Sequence, residues 1–398
     1  MSGWRLGGTA GAMRGRRADE LRRTVGPPGA AIISGSGVSI AETAHQTRDV
    51  DVLIIGAGQA GLGTAYWLTR DPALRVLVVD AAAIGHSWLE RWDSLTLFTP
   101  RRFSALPGLR FPPGSSRYPS RTEMAAYLGD YAQRFALPVE TGMGVSRLTR
   151  QHPGFLAATA RGAVRARHVV VATGPFRRPH VPAPSAVLSP DVWQVHSRDY
   201  RHPGDVPGGE VLVVGGGNSA AQLAVELTQT HQVTVASPGP PWYLPKTILG
   251  LDTYWWTYLT GILNASHRAR VSRYVRARGE AIIGTQLRDL VRNGRVRLLP
   301  HRVTGAHGRH VCLADGSSVA VTSVLWCTGF RPDTSWIEVP GATDGEGTPL
   351  HRGGASPVPG LHWMGLPWQT RLNSSIINGV HRDARATARR INAAPEYP

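Results

Sequence analysis

The sequence predicts an α/β chain built on two doubly wound parallel sheets, and three observations predict it. Val52-Leu53-Ile54-Ile55 runs straight into the glycine-rich turn Gly56-Ala57-Gly58-Gln59-Ala60-Gly61. About 160 residues later, Val211-Leu212-Val213-Val214 runs into Gly215-Gly216-Gly217-Asn218-Ser219-Ala220. Each turn opens a stretch with helical apolar spacing, and each stretch leads to a second short apolar run. One such turn is a weak signal. Two of them, each set between a strand and a helix, predict two Rossmann-like dinucleotide-binding domains.

The elements follow in order. Val52 to Ile55 reads as a buried parallel strand, because it is a short run of branched apolar residues. Gly56 allows the sharp exit, Gly58 allows a pyrophosphate to approach the backbone, and Gly61 allows the helix to pack on the strand. A helix from Ala60 to Thr69 would aim its first amides at the phosphates. The next strand, Val76 to Val79, ends in Asp80, 19 residues beyond Gly61, where the fingerprint sets a carboxylate on the ribose hydroxyls.

The second turn repeats this pattern with one difference. Gly215 and Gly217 keep the first two glycines, and Ala220 stands for the third. A helix from Ser219 to Thr228 and a strand from Val233 to Val235 are expected. That strand ends in Ala236-Ser237, without an acid to repel a ribose 2′-phosphate, which favours NADP over NAD. Asn218 and Ser219 are placed to contact its phosphates, and Ser237, with Lys246 or a nearby arginine, to meet the 2′-phosphate.

Several further blocks carry a resemblance. Gly85-His86-Ser87-Trp88, Arg91-Trp92-Asp93-Ser94-Leu95 and Phe98-Thr99-Pro100 are followed by Ala172-Thr173-Gly174. Cys327-Thr328-Gly329-Phe330-Arg331-Pro332-Asp333 comes next, then Gly365-Leu366-Pro367-Trp368-Gln369 and Ile377-Asn378-Gly379-Val380. In content and order these blocks resemble the flavin-containing monooxygenase family, above all its bacterial and plant-type, indole-pyruvate monooxygenase-like members. The likeness covers about residues 50 to 390.

The resemblance implies FAD at the first turn and NADP at the second. It assigns flavin contacts to Ser87, Trp88, Trp92 and Thr99, domain crossings that also contact cofactor to Thr173-Gly174 and Thr328-Gly329, and further cofactor contacts to Asp333 and Gly365. It implies an FAD-binding domain at 49–175 and 325–398, with an NADP-binding domain inserted at 176–324. The implied reaction passes hydride from NADPH to FAD, forms a flavin hydroperoxide with dioxygen, and moves one oxygen atom to a small-molecule nitrogen, sulfur or carbonyl compound. A homodimer is compatible with this pattern.

Two positions depart from the family pattern. Its hallmark Phe-x-Gly-x-x-x-His with a later aromatic is half kept: His196 and Tyr200 stand in place, but Pro190 and Val192 hold the Phe and Gly positions. Phe98 stands where animal-type members carry an asparagine near the flavin. His196 is the one catalytic candidate, with a role in organising the domain linker and NADP favoured over proton exchange.

Composition bounds the alternatives. The net charge is +17 over 398 residues, and Lys246 is the sole lysine, so the positive charge is arginine. These arginines are scattered and match no nucleic-acid-binding motif. Two cysteines, Cys312 and Cys327, fit a reducing cytoplasm and supply no Cys-x-x-Cys pair for a disulfide reductase. A two-dinucleotide reductase serving a non-thiol acceptor, and a flavin-binding sensor without turnover, are the competing readings. No apolar run reaches the roughly 18 residues of a membrane span.

Residues 1–48 read as a disordered basic extension; Arg22-Arg23 resembles a twin-arginine signal, but Pro27-Pro28-Gly29 and Gly35-Ser36-Gly37 break the apolar stretch that should follow. His301, His307, His310 and Cys312 lie in a predicted polar hairpin without metal-ligand spacing, so no metal is expected. Tyr254-Trp255-Trp256-Thr257-Tyr258 reads as buried packing between domains. Arg268, Arg270, Arg273, Arg276 and Arg278 read as a solvated helix face, and Arg371 and Asn373 are candidates to face substrate.

Overall fold

The structure, a computed structural model, describes residues 47–394. The expected basic extension lies outside the described residues except for Thr47 and Arg48, which already belong to the first strand. That strand, Thr47–Ile55, is five residues longer at its start than the apolar run indicates. Its exposed first residues pair with Ala163, Val164 and Arg165, so hydrogen bonding rather than burial holds them.

Around this strand lies the first sheet. Val76–Val79 flanks it in parallel on one side and Gly162–Val171 on the other. Val139–Glu140 extends the sheet beyond Val76–Val79. On the far side two antiparallel strands, Gly154–Thr159 and Val145–Gln151, continue to Ile337–Glu338, and Leu361–Trp363 pairs in parallel with Gly162–Val171. The central strands are buried on both faces, which is why they read as unbroken Val/Ile/Leu runs. The helix Gln59–Leu68 packs against the last described helix, Ile377–Asn392, and Leu62 and Val380 on these helices are both fully buried.

A second sheet is wholly parallel. Its order is Val296–Leu299, Gln232–Ala236, Glu210–Val214, Ser323–Trp326 and Trp193–His196. The helix Asn218–Leu227 follows the central strand and buries Ala220, Leu223, Ala224 and Leu227. Ser323–Trp326 is a strand of this second sheet, so a division at 324/325 runs through it, and the chain leaves the sheet only after Trp326.

Two segments connect the sheets, and they are bonded to each other. Arg178–Pro179 and Phe330–Arg331 form a short antiparallel pair. The His180 amide donates to the Gly329 carbonyl at 2.9 Å, and the Thr328 hydroxyl donates to the His180 carbonyl. Arg91 lies over the rings of both Phe176 and Phe330, at 5.3 and 5.0 Å. The half-buried Arg91 guanidinium is held below its ordinary pKa, first by desolvation.

The aromatic run becomes the short helix Thr253–Leu259. Only part of it is packed: Tyr254 is buried against Phe103 and Leu263, whereas Tyr258 is half exposed. The expectation of uniform burial fails because a helix turns consecutive residues to different faces. The arginine run forms the helix Arg270–Arg278, of which Ser272 is the buried residue, as a solvated face requires.

Candidate active site at two glycine turns

The first turn has the shape its glycines dictate. Gly56 adopts φ +111°, and a Cβ there would meet the Ala172 carbonyl oxygen at 2.5 Å. A Cβ on Gly61 would sit 1.8 Å from the Gly56 carbonyl oxygen, so only glycine lets the helix approach this closely. At Gly58, by contrast, nothing lies within 4 Å of the Cβ position. Gly58 caps the helix with no side-chain hydrogen bond and no acid in the first turn. Unsatisfied amides therefore face open space, which is the requirement for an incoming anion.

Asp80 closes this turn from the neighbouring strand. Its carboxylate accepts from the Ala57 amide at 2.7 Å and the Ala82 amide at 3.0 Å. The acid thus braces the turn as well as standing at its mouth. The C-terminal segment reaches the same place: a Cβ on Gly365 would meet Ala60 Cβ at 2.9 Å, and Gln59 donates to the Ser375 carbonyl at 3.0 Å. Trp368, in this segment, has φ +59°, a strained conformation for a bulky side chain. Arg371 and Asn373 do not stand free there; they donate to the backbone and side-chain oxygens of Asn264 at 2.7 and 3.3 Å.

The other expected flavin contacts divide. Trp92 is buried in the apolar core and Thr99 is buried with its hydroxyl 2.8 Å from that of Ser104, whereas Ser87 is exposed and Trp88 half-buried. Thr173 and Gly174 follow the strand that pairs with the first one, and Gly174 takes φ +73° with open space around its Cβ position. The Asp333 carboxylate accepts from the Ser335 hydroxyl at 2.9 Å, a local turn.

The second turn is tight in the same manner but differently filled. A Cβ on Gly215 would lie 2.3 Å from the Cys327 carbonyl oxygen. The Asn218 side chain is already spent: its amide donates to Glu280 Oε1 at 2.6 Å and the Ala281 carbonyl at 2.9 Å, and its oxygen accepts from the Ile283 amide at 2.9 Å. Asn218 therefore fastens the 280–283 segment. Ser237 is buried and donates to the Gly239 carbonyl at 2.6 Å, so its proton is committed too. Lys246 lies over the Tyr118 ring at 4.9 Å. These partners are more than 60 residues away for Asn218 and could not be read from local pattern.

His196 ends a strand of the second sheet. Its Nδ1 accepts from the Arg198 amide at 3.1 Å, so Nε2 carries the proton and donates to the Gly329 carbonyl at 3.0 Å. Burial holds the imidazole below its ordinary pKa. Both ring nitrogens are engaged, and the ring ties one sheet to the connecting segment. Tyr200 is buried and donates to Glu226 at 3.1 Å. Desolvation pushes the Cys327 thiol up to about 12, so it is no thiolate at neutral pH. Cys312 lies 3.4 Å from His307 Nδ1 in the hairpin formed by Val303–His307 and His310–Leu313. Among the described residues no group of three His, Cys, Asp or Glu side chains is arranged to hold a metal.

Paired glycine turns, each following a central parallel strand of its own sheet, are the framework of flavoprotein oxidoreductases, and a family model described as pyridine nucleotide-disulphide oxidoreductase matches residues 53–362. The chain belongs to that family. This oxidoreductase is 40% identical over 335 residues to an uncharacterized CzcO-like oxidoreductase of Geobacillus kaustophilus, covering 84% of this chain and 96% of that protein. It is 25% identical over 346 residues to an indole-3-pyruvate monooxygenase of Oryza sativa, 76% of this chain and 82% of that one. A flavin-containing monooxygenase from Stenotrophomonas maltophilia superposes with a TM-score of 0.73 at 28% identity, covering 87% and 99% of the two chains. The expected likeness to flavin-containing monooxygenases is borne out by these matches. No helix among the described residues is long and apolar enough to cross a membrane.

Proposed function

We propose that this oxidoreductase is an FAD- and NADPH-dependent monooxygenase acting on a small organic substrate at nitrogen, at sulfur or at a carbonyl compound. The observation that carries the reading is the open approach at Gly58, beneath an uncapped helix and beside Asp80. That cradle fits the pyrophosphate and ribose of FAD, and a Cβ would fill it. When bound, FAD would supply hydride acceptance and the activation of dioxygen.

The residues of this chain would then divide the work. The amides that follow Gly58 bind phosphate, Asp80 holds the turn and meets the ribose, and the segment from Gly365 to Ser375 covers the helix start and excludes water. Gly215 and Gly217 form the turn for NADPH, with an Ala236-Ser237 strand end that lacks an acid. His196 acts as a positioning residue, holding Gly329 at the crossing.

The test is aerobic turnover with NADPH across amine, sulfide and ketone substrates, scoring product mass for one added oxygen and measuring peroxide in parallel. Oxygenated product supports the proposal. NADPH consumption that yields only peroxide, with efficient electron transfer to a quinone, would establish the non-thiol reductase instead.

A further inference from the structure

The two glycine turns differ in one respect that their sequences do not announce. Around Gly58 the space is open, but at Gly217 the carboxylate of Glu280 lies 2.9 Å from the Cβ position. Glu280 follows Gly279, which ends the arginine-rich helix at φ +85°, a conformation suited to glycine. The Asn218 amide donates to Glu280 Oε1 at 2.6 Å, and Asn218 starts the helix whose cap is Gly217. That helix has no side-chain cap hydrogen bond and no acid of its own in the first turn. An acid from elsewhere in the chain therefore sits at the positive end of this helix, where negative charge is favoured.

We propose that Glu280 is an internal anion that stands in for the nucleotide phosphate at the second turn and lowers the affinity for NADP(H). This rests on the reading of that turn as the NADP site. A pyrophosphate reaching Gly217 needs the space that the carboxylate takes, and two negative charges brought together there repel. Glu280 itself is exposed, so its side chain has room to swing into solvent. The backbone beyond it is fixed: the Ile282 amide donates to the Trp242 carbonyl at 3.0 Å and the Gly284 amide to the Leu244 carbonyl at 2.7 Å. The side chain, not the segment, is the moving part. The consequence is a site whose helix start faces a carboxylate and whose nucleotide meets a tethered competitor.

The experiment is calorimetric titration of NADP+ into the flavin-loaded full chain, comparing the wild type with Glu280→Gln and with the distant surface control Glu346→Gln. The glutamine keeps the size and a hydrogen-bond acceptor but removes the charge. We expect Glu280→Gln to tighten NADP+ by about threefold at low salt, the scale of an exposed charge pair, with the gap closing at high salt. Glu346→Gln leaves the affinity unchanged. Unchanged or weaker binding by Glu280→Gln, with a wild type that binds, overturns this inference and leaves the second turn as the NADP site. Absence of NADP+ binding by both proteins overturns the inference together with that assignment.

Discussion

The Ala57 amide donates to Asp80 Oδ2 at 2.7 Å, joining the first glycine turn to the end of the next strand. The same carboxylate accepts from the Ala82 amide at 3.0 Å. Asp80→Ala removes both acceptors, and leaving such amides without a partner costs about 1–3 kcal/mol. The expected result is a lower thermal midpoint and weaker FAD retention in the same variant. Thermal unfolding with and without added FAD checks both effects.

Gly58→Val places a branched side chain in space that is empty within 4 Å of the Cβ position. The fold should survive, because no atom beyond the chain neighbours lies within 4 Å of the Cβ position, yet the approach to the helix amides is closed. Flavin absorbance per protein should drop to near zero in this variant. A variant that stays fully yellow would refute the assignment of this turn.

Gly217→Val is predicted to separate the two cofactors. Its Cβ meets the movable end of Glu280, not backbone, so the fold tolerates it. Flavin remains bound at the first turn, but its anaerobic reduction by NADPH slows by orders of magnitude. Stopped-flow bleaching of the flavin band measures this directly, and unchanged kinetics would exclude nucleotide binding at Gly217.

The turns, their strands and their helices were legible because each is local: a run of branched residues, glycines at fixed offsets, then a helical period. The expected helix 60–69 is Gln59–Leu68, and the expected helix 219–228 is Asn218–Leu227. What escaped the reading is long-range. Asn218 meets Glu280 across 62 residues, His196 meets Gly329 across 133, and Arg371 meets Asn264 across 107. Such partners leave no periodic trace, so the acceptors of the Asn218 amide, 62 and 63 residues away, are invisible in the sequence, whereas the Ser237 hydroxyl donates locally to the Gly239 carbonyl. The pairing of Arg178–Pro179 with Phe330–Arg331 was hidden for the same reason, although each crossing was visible as Thr-Gly after an apolar strand.

Burial of histidines predicts acid sensitivity. His362 is held down to about 3, first by desolvation and then by its neighbour His168, whose ring lies 5.9 Å away and is also held below its ordinary value. The unfolded chain binds a proton near pH 6.5, whereas folded His362 does not. Its contribution to stability is therefore complete above about pH 6.5 and is lost as pH falls toward about 3, at about 1.4 kcal/mol per unit. Urea unfolding across that range should show the slope, and His362→Leu should flatten it by about one proton.

Anaerobic titration of the purified yellow protein with NADPH is the most direct measurement of the central claim. The account predicts one FAD per chain, bleached by one equivalent of NADPH and restored by air, because the first turn holds the flavin and the second its electron donor. Protein that is colourless after reconstitution with FAD, or yellow protein that NADPH leaves unbleached, would contradict it.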